Sequence, residues 1–131
     1  MNEVIYKEPR TFEKYDETHF IAYLNENIIP DYVPEVANGE STPEPVTGYS
    51  YQGPMADGGT LIEAKTADRD SLINGIIRSR YTQTEEDAIK THQIQVLKDP
   101  SIEKAQEYND EWALFNAVRE TAIRLVDRWL S

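Results

Sequence analysis

The chain of 131 residues contains no cysteine. That absence excludes a disulfide framework, a zinc ribbon, thiolate ligands for an iron–sulfur cluster and a cysteine nucleophile, and is compatible with a reducing cytoplasm. No apolar run reaches the roughly 18 residues that a membrane-spanning helix needs. The opening residues, Met1-Asn2-Glu3-Val4-Ile5-Tyr6-Lys7-Glu8, lack the basic-then-apolar order of a signal peptide. The chain is therefore expected neither to span a membrane nor to be exported. Basic residues are also in deficit: 13 Lys and Arg stand against 24 Asp and Glu, a formal charge of -11. Such a field repels phosphate backbones and anionic lipid, so neither nucleic acid nor a membrane is an expected partner.

What is present describes a folding chain. Hydrophobic residues make up 39% and charged residues 28%, close to globular averages. The length suits one ordinary domain, or one with a small appendage. Charge is uneven: residues 1–65 carry -8 and residues 66–131 carry -3.

The two halves differ in period. Residues 1–65 read as a β-rich, tyrosine-rich acidic region. Val4 and Tyr6 alternate with Ile5 and Lys7, and His19-Phe20-Ile21-Ala22-Tyr23-Leu24 is aromatic and β-branched enough for a strand, with helix as the competing assignment. Residues 30–48 hold four prolines and no apolar period, which predicts a loop or extended arm with a positive-φ turn at Asn38-Gly39. Tyr49–Gln52 and Thr60–Ala64 flank Gly53-Pro54-Met55-Ala56-Asp57-Gly58-Gly59 and are expected to pair as an antiparallel hairpin.

Past residue 66 the period becomes helical. Asp68 or Thr66 can cap a first helix with Leu72, Ile73, Ile76 and Ile77 on one face, and Gly75 in its middle suggests close packing against a neighbour. Thr82 and Glu85 have capping-box spacing for a second helix, which directs Ala88, Ile89, Val96 and Leu97 to the core and ends at Asp99-Pro100. Asp99 is then the N-cap of a third helix running from about Pro100 to Leu130, with Lys98-Asp99-Pro100 making helices two and three antiparallel neighbours. Ala105, Tyr108, Trp112, Phe115, Arg119, Ala122, Val126 and Trp129 recur at spacings of three and four, a seam interrupted by one arginine and flanked by Leu114, Val118 and Leu125. The fold class is α+β: a small N-terminal antiparallel β region with a hairpin, then three helices including a long helical hairpin.

No catalytic, cofactor-binding or metal-ligating set emerges. Glu85, Glu86 and Asp87 are consecutive and point in different directions on a helix, and neither Ala88 nor Ile89 gives His92 a ligand partner three or four residues before it. His19 lies among aromatics with no nucleophile nearby, which suits a core or partner contact. The glycines at 53–59 are followed by a strand, whereas a phosphate cradle needs a helix N-terminus there. The chain is thus expected not to be an enzyme.

Contact surfaces are the remaining candidates. Tyrosines crowd the first half, and Tyr23, Tyr32, Tyr49 and Tyr51 either cover a thin β layer or form a protein-binding surface. Trp112, Phe115 and Trp129 are large enough to anchor a subunit interface, though the first two helices can also cover them within one chain. A homo-oligomer and a monomer core stay equally open.

The segments Gly48-Tyr49-Ser50-Tyr51, Asp57-Gly58-Gly59-Thr60-Leu61-Ile62-Glu63-Ala64, Ile76-Ile77-Arg78-Ser79-Arg80-Tyr81-Thr82 and Glu111-Trp112-Ala113-Leu114-Phe115-Asn116 give residues 48–130 a pattern that resembles small bacteriophage and prophage proteins encoded near tail genes. The resemblance implies a non-enzymatic structural or assembly role in a tail module, contacts with other tail proteins, and a location in the bacterial host cytoplasm or the phage particle. The alternative, from the charge, is an acidic inhibitory protein that mimics nucleic acid in a basic groove.

Overall fold

β-Branched and aromatic alternation in the first half folds as six strands in the computed structural model, which describes residues 1–131: β1 (Asn2–Tyr6), β2 (Phe12–Asp16), β3 (His19–Ala22), β4 (Asn27–Tyr32), β5 (Val46–Gly53) and β6 (Thr60–Glu63). Helices α1 (Arg69–Arg80), α2 (Gln83–Lys98) and α3 (Ala105–Leu130) follow. This is the expected α+β order. The strands form two three-stranded sheets, β1-β5-β4 and β2-β3-β6. The chain divides into a unit of residues 1–61 and one of residues 62–131, so the boundary falls inside β6 rather than at residue 65.

In the first sheet Val4 faces Tyr51 and Tyr6 faces Tyr49 across the β1–β5 ladder, while Tyr49 also faces Ile28 of β4. Residues directly opposite share a sheet face, so this register gathers the tyrosines on one side. They pack there with Ile21 and Tyr23, forming a core of aromatic rings with Met55 at its margin.

The expected hairpin between Tyr49–Gln52 and Thr60–Ala64 does not form. β5 spends both its edges on β1 and β4, leaving none for β6, which joins the other sheet. A tight hairpin lies earlier: β2 and β3 pair antiparallel with a bulge between Lys14 and Asp16. β2 and β4 were not legible as strands, because Phe12-Glu13-Lys14-Tyr15-Asp16 is mostly polar and β4 contains a proline.

The predicted 30–48 arm is shorter at both ends, since Pro30–Tyr32 belong to β4 and Val46–Gly48 to β5. Pro30 is tolerated because β4 is an edge strand whose register shifts between Ile29 and Tyr32, with Asp31 at φ 57°. The Asn38-Gly39 turn is present: Glu40 N donates to Ala37 O at 3.1 Å and Gly39 has φ 90°.

Helices α1 and α2 follow their start signals closely. Asp68 caps α1 by accepting from Ser71 N, and Thr82 and Glu85 close the capping box of α2. Leu72, Ile73, Ile76 and Ile77 are buried as expected. So is Gly75, where an added Cβ would lie 2.9 Å from Glu63 O and 3.2 Å from Ile62 Cβ. On α2 only Ile89 and Val96 of the four expected core residues are buried; Ala88 and Leu97 face out, as does Leu114 on α3. A 16-residue helix packed along one neighbour needs a narrower stripe than the sequence offers.

The third helix starts five residues later than expected. Asp99 takes the Ser101 N–H and hydroxyl instead of capping a helix, and residues 99–104 form turns before α3 begins at Ala105. From there α3 runs unbroken for 26 residues, about 39 Å at 1.5 Å per residue. Phe115, Ala122 and Val126 of its seam are fully buried, Trp112 and Trp129 half-buried. His92 lies beside Tyr108 and Glu111, while Glu85 and Ala88 line one groove with Glu111 and Leu114, so α2 and α3 run antiparallel.

Candidate functional site

Two polar centres stand out, one in each unit. The first is built on the aromatic core of residues 1–61. Tyr23 is 1% exposed, yet its hydroxyl reaches Asp57 Oδ2 at 2.8 Å and Glu13 Oε1 at 2.9 Å. One hydroxyl proton can serve only one of these carboxylates at a time, and Arg10 Nη2 donates to the same oxygen at 2.9 Å. The Arg10 guanidinium also lies 4.6 Å from the Tyr23 ring centre and 4.8 Å from that of Tyr6, a double cation–π contact. Tyr6 donates to Asp57 O at 2.5 Å.

The loop that brings Asp57 here depends on its glycines. Gly59 N donates to Asp57 Oδ1 at 2.9 Å, and a Cβ on Gly59 would run into Ile21 Cγ2. Tyr51, fully buried, accepts the Arg10 backbone N–H at 2.8 Å and donates to Glu26 Oε2 at 2.6 Å. Burial, then the bonds to Asp57 and Glu13, push the Tyr23 hydroxyl far above its ordinary range. Tyr6 is raised as well, by burial and then by the Asp57 charge. On Arg10 burial opposes the charge, but Tyr23, Glu13 and Tyr6 outweigh it. The centre therefore holds neutral tyrosines and a firmly charged arginine, a clamp between chain segments.

The second centre lies among the three helices. Glu86 is buried and receives Arg78 Nη2 and, at 2.5 Å, Lys90 Nζ. Burial works to raise its pKa, and the bonds from Lys90 and Arg78 more than reverse this, holding the carboxyl below the usual range. Arg78 also donates through Nη1 to Tyr81 O at 3.1 Å and through Nε to Asn74 Oδ1 at 3.4 Å. Beside this ion triad opens a groove that Trp112, Phe115 and Arg119 also line.

The three consecutive acids divide as their helical directions require: Glu85 bonds Thr82 N, Glu86 takes the triad and Asp87 receives Gln83. His92 finds Glu111 at 2.5 Å and stacks on Tyr108 with ring centres 4.0 Å apart. His19 is not in the core; it is half-buried at the β2–β3 turn with Asp16 and Thr18.

Of the candidate contact residues, Tyr23, Tyr51 and Phe115 are buried inside the chain and have no surface to offer. Tyr32, Tyr49, Trp112 and Trp129 are half-buried and keep part of theirs. Arg10, Glu13 and Glu26 were missed, as isolated charges in polar stretches with no periodic signal. No helix is both long and apolar enough to cross a membrane. Compared with protein-family models, curated proteins and solved structures, the chain matches none.

Proposed function

We propose that the chain is a non-enzymatic structural or assembly protein of a bacteriophage or prophage tail module, working through protein–protein contacts. The observation that carries this reading is the aliphatic surface of α2, where Ile94 and Leu97 are 55% and 73% exposed three residues apart on one side of a rigid helix. A protein partner covering such a pair gains about 1.5–3 kcal/mol for each side chain fully buried. Leu114 and Leu130 of α3 are exposed as well, at 56% and 45%. The role of the tyrosine–carboxylate centre as a structural clamp supports the non-enzymatic part, and the resemblance to tail-associated phage proteins supplies the setting.

Co-expression with phage tail proteins, followed by mass measurement of the purified species, tests the reading. The wild-type chain is expected to co-purify with a tail protein, and Leu97→Asp with Ile94→Asp to abolish that complex while leaving the helical content unchanged. Absence of any complex, or one indifferent to both changes, overturns it.

The acidic-inhibitor reading draws on a different observation: Glu3, Glu8, Glu13, Asp16 and Glu17 are all exposed along β1, β2 and the turns that follow them. Salt separates the two readings. A nucleic-acid mimic loses affinity steeply as ionic strength rises, whereas an aliphatic contact is nearly indifferent to it.

A further inference from the structure

The arginine that interrupts the aromatic seam of α3 faces the groove among the helices. Trp112, Asn116 and Arg119 line it at i, i+4 and i+7, opposite Ile73, Asn74 and Ile77 of α1, around a volume of about 450 Å³. We propose that this groove binds an aromatic monocarboxylate of one or two fused rings. The inference is independent of the tail-assembly reading.

Charge inside the groove leaves one cation to spare. Arg78 and Lys90 are committed to Glu86, and Asp70, the groove's other acid, sits at the open rim with Arg69 Nη1 3.7 Å away. The Arg119 guanidinium has neither a hydrogen bond nor an ion pair within the chain. In a protein of formal charge -11, a free guanidinium beside two aromatic rings is a local inversion of the field. Its planar fork matches a carboxylate in bidentate geometry. Lys90 keeps two further ammonium protons, and Asn74 keeps its amide N–H₂ because the bond from Arg78 uses only Oδ1.

The apolar wall fixes the other end of the ligand. Trp112 and Phe115 stack with centres 6.2 Å apart and planes 30° from parallel, and Ile73 and Ile77 face the same space. A flat ring fits this wall better than a branched chain. The volume lies within the range of small-molecule sites, roughly 300–1,000 Å³. The Arg78–Glu86–Lys90 triad ties α1 to α2 beside the groove, and α3 supplies Trp112 and Arg119.

Titrating the full chain with 2-naphthoate, followed by the indole N–H resonance of Trp112 and the side-chain amides of Asn74 and Asn116, tests the site. Saturable shifts at all three are expected, with affinity falling about tenfold for Arg119→Gln and for the neutral probe 2-naphthalenemethanol. Asp70→Asn removes a rim charge that repels the ligand and is expected to tighten binding about two- to threefold. Arg119 and Asp70 are both exposed, so neither change threatens the fold. No saturable shift below about 10 mM, equal affinity for the alcohol, or an Arg119→Gln protein that binds as the wild type does, each overturns the proposal.

Discussion

The hydroxyl of Tyr23 lies 2.8 Å from Asp57 Oδ2, joining positions 34 residues apart in the chain. It closes the aromatic core of the β unit over a polar point, and two glycines after Asp57 let the loop come close enough to make it. A buried polar group held this way contributes little while satisfied and costs much when its partner is removed.

Replacing Tyr23 with Phe leaves Asp57, Glu13 and Arg10 without their shared hydroxyl and is expected to cost about 1–3 kcal/mol. It also changes the alkaline limb. In the wild type the folded-state pKa is raised above the ordinary 10.0 by burial and by Asp57 and Glu13, so the unfolded chain releases its proton first. Stability is then full below pH 10 and falls as pH rises beyond it. Urea unfolding at several alkaline pH values, followed by tyrosine near-ultraviolet dichroism, is expected to show a weaker decline in Tyr23→Phe. Some decline stays, because Tyr6 is raised too. An unchanged decline would mean that the Tyr23 proton is not the one being lost.

The ion triad of the helical unit acts at the opposite end of the pH scale. Lys90 and Arg78 hold the Glu86 carboxyl below its ordinary 4.5 despite its burial. The stability it contributes is fully present above that value and is lost as pH falls through the lower folded-state pKa. Glu86→Gln is expected to destabilise the helical unit by about 1–3 kcal/mol at neutral pH and to flatten its acid limb. Both tryptophans, Trp112 and Trp129, lie in residues 62–131, so fluorescence reads this unit. An equally steep acid limb in the variant points instead to carboxylates such as Asp127, which Arg69 also holds low.

The helices were legible because α1 and α2 carry their own start signals, Asp68 and Thr82 with Glu85, and α3 carries a helical period in the seam from Tyr108 to Trp129. Failures came where the deciding interaction was distant or competitive. Asp99-Pro100 has the composition of an N-cap with a first helical proline, but Ser101 captured the Asp99 side chain and the helix waited for Ala105. Thr60–Ala64 looked like the partner of Tyr49–Gln52 because they are close in sequence, yet β1, some 45 residues earlier, holds that edge. Tyrosine crowding was visible, but not that Arg10 and Glu13 would converge on it. Isolated charges acquire meaning only when the register is known.

Gly75→Ala sets helix propensity against packing. Alanine favours a helix interior by about 1 kcal/mol over glycine. Here the new methyl would stand 2.9 Å from Glu63 O and 3.2 Å from Ile62 Cβ, both backbone-anchored and unable to swing away. Overpacking of this kind costs about 1–3 kcal/mol, so the net change is expected to be destabilising. Thermal unfolding followed by tryptophan fluorescence decides the sign; a stabilised variant would show that α1 can move off Ile62 at little cost.

His92 and Tyr108 join α2 to α3 through rings 4.0 Å apart and 9° from parallel, and Glu111, one turn beyond Tyr108, takes the imidazole Nδ1 at 2.5 Å. Because the ring contact and the hydrogen bond constrain the same imidazole, each is expected to strengthen the other. His92→Ala and Tyr108→Ala together should therefore cost less than the sum of the two single changes, with a coupling of about 0.5–1.5 kcal/mol. Glu111→Gln removes the carboxylate but leaves the rings; if the bond orients the imidazole, the His92–Tyr108 coupling measured in that background should shrink. Coupling of undiminished size would mean that packing between α2 and α3 alone fixes the stack, and that Glu111 follows the histidine rather than aiming it.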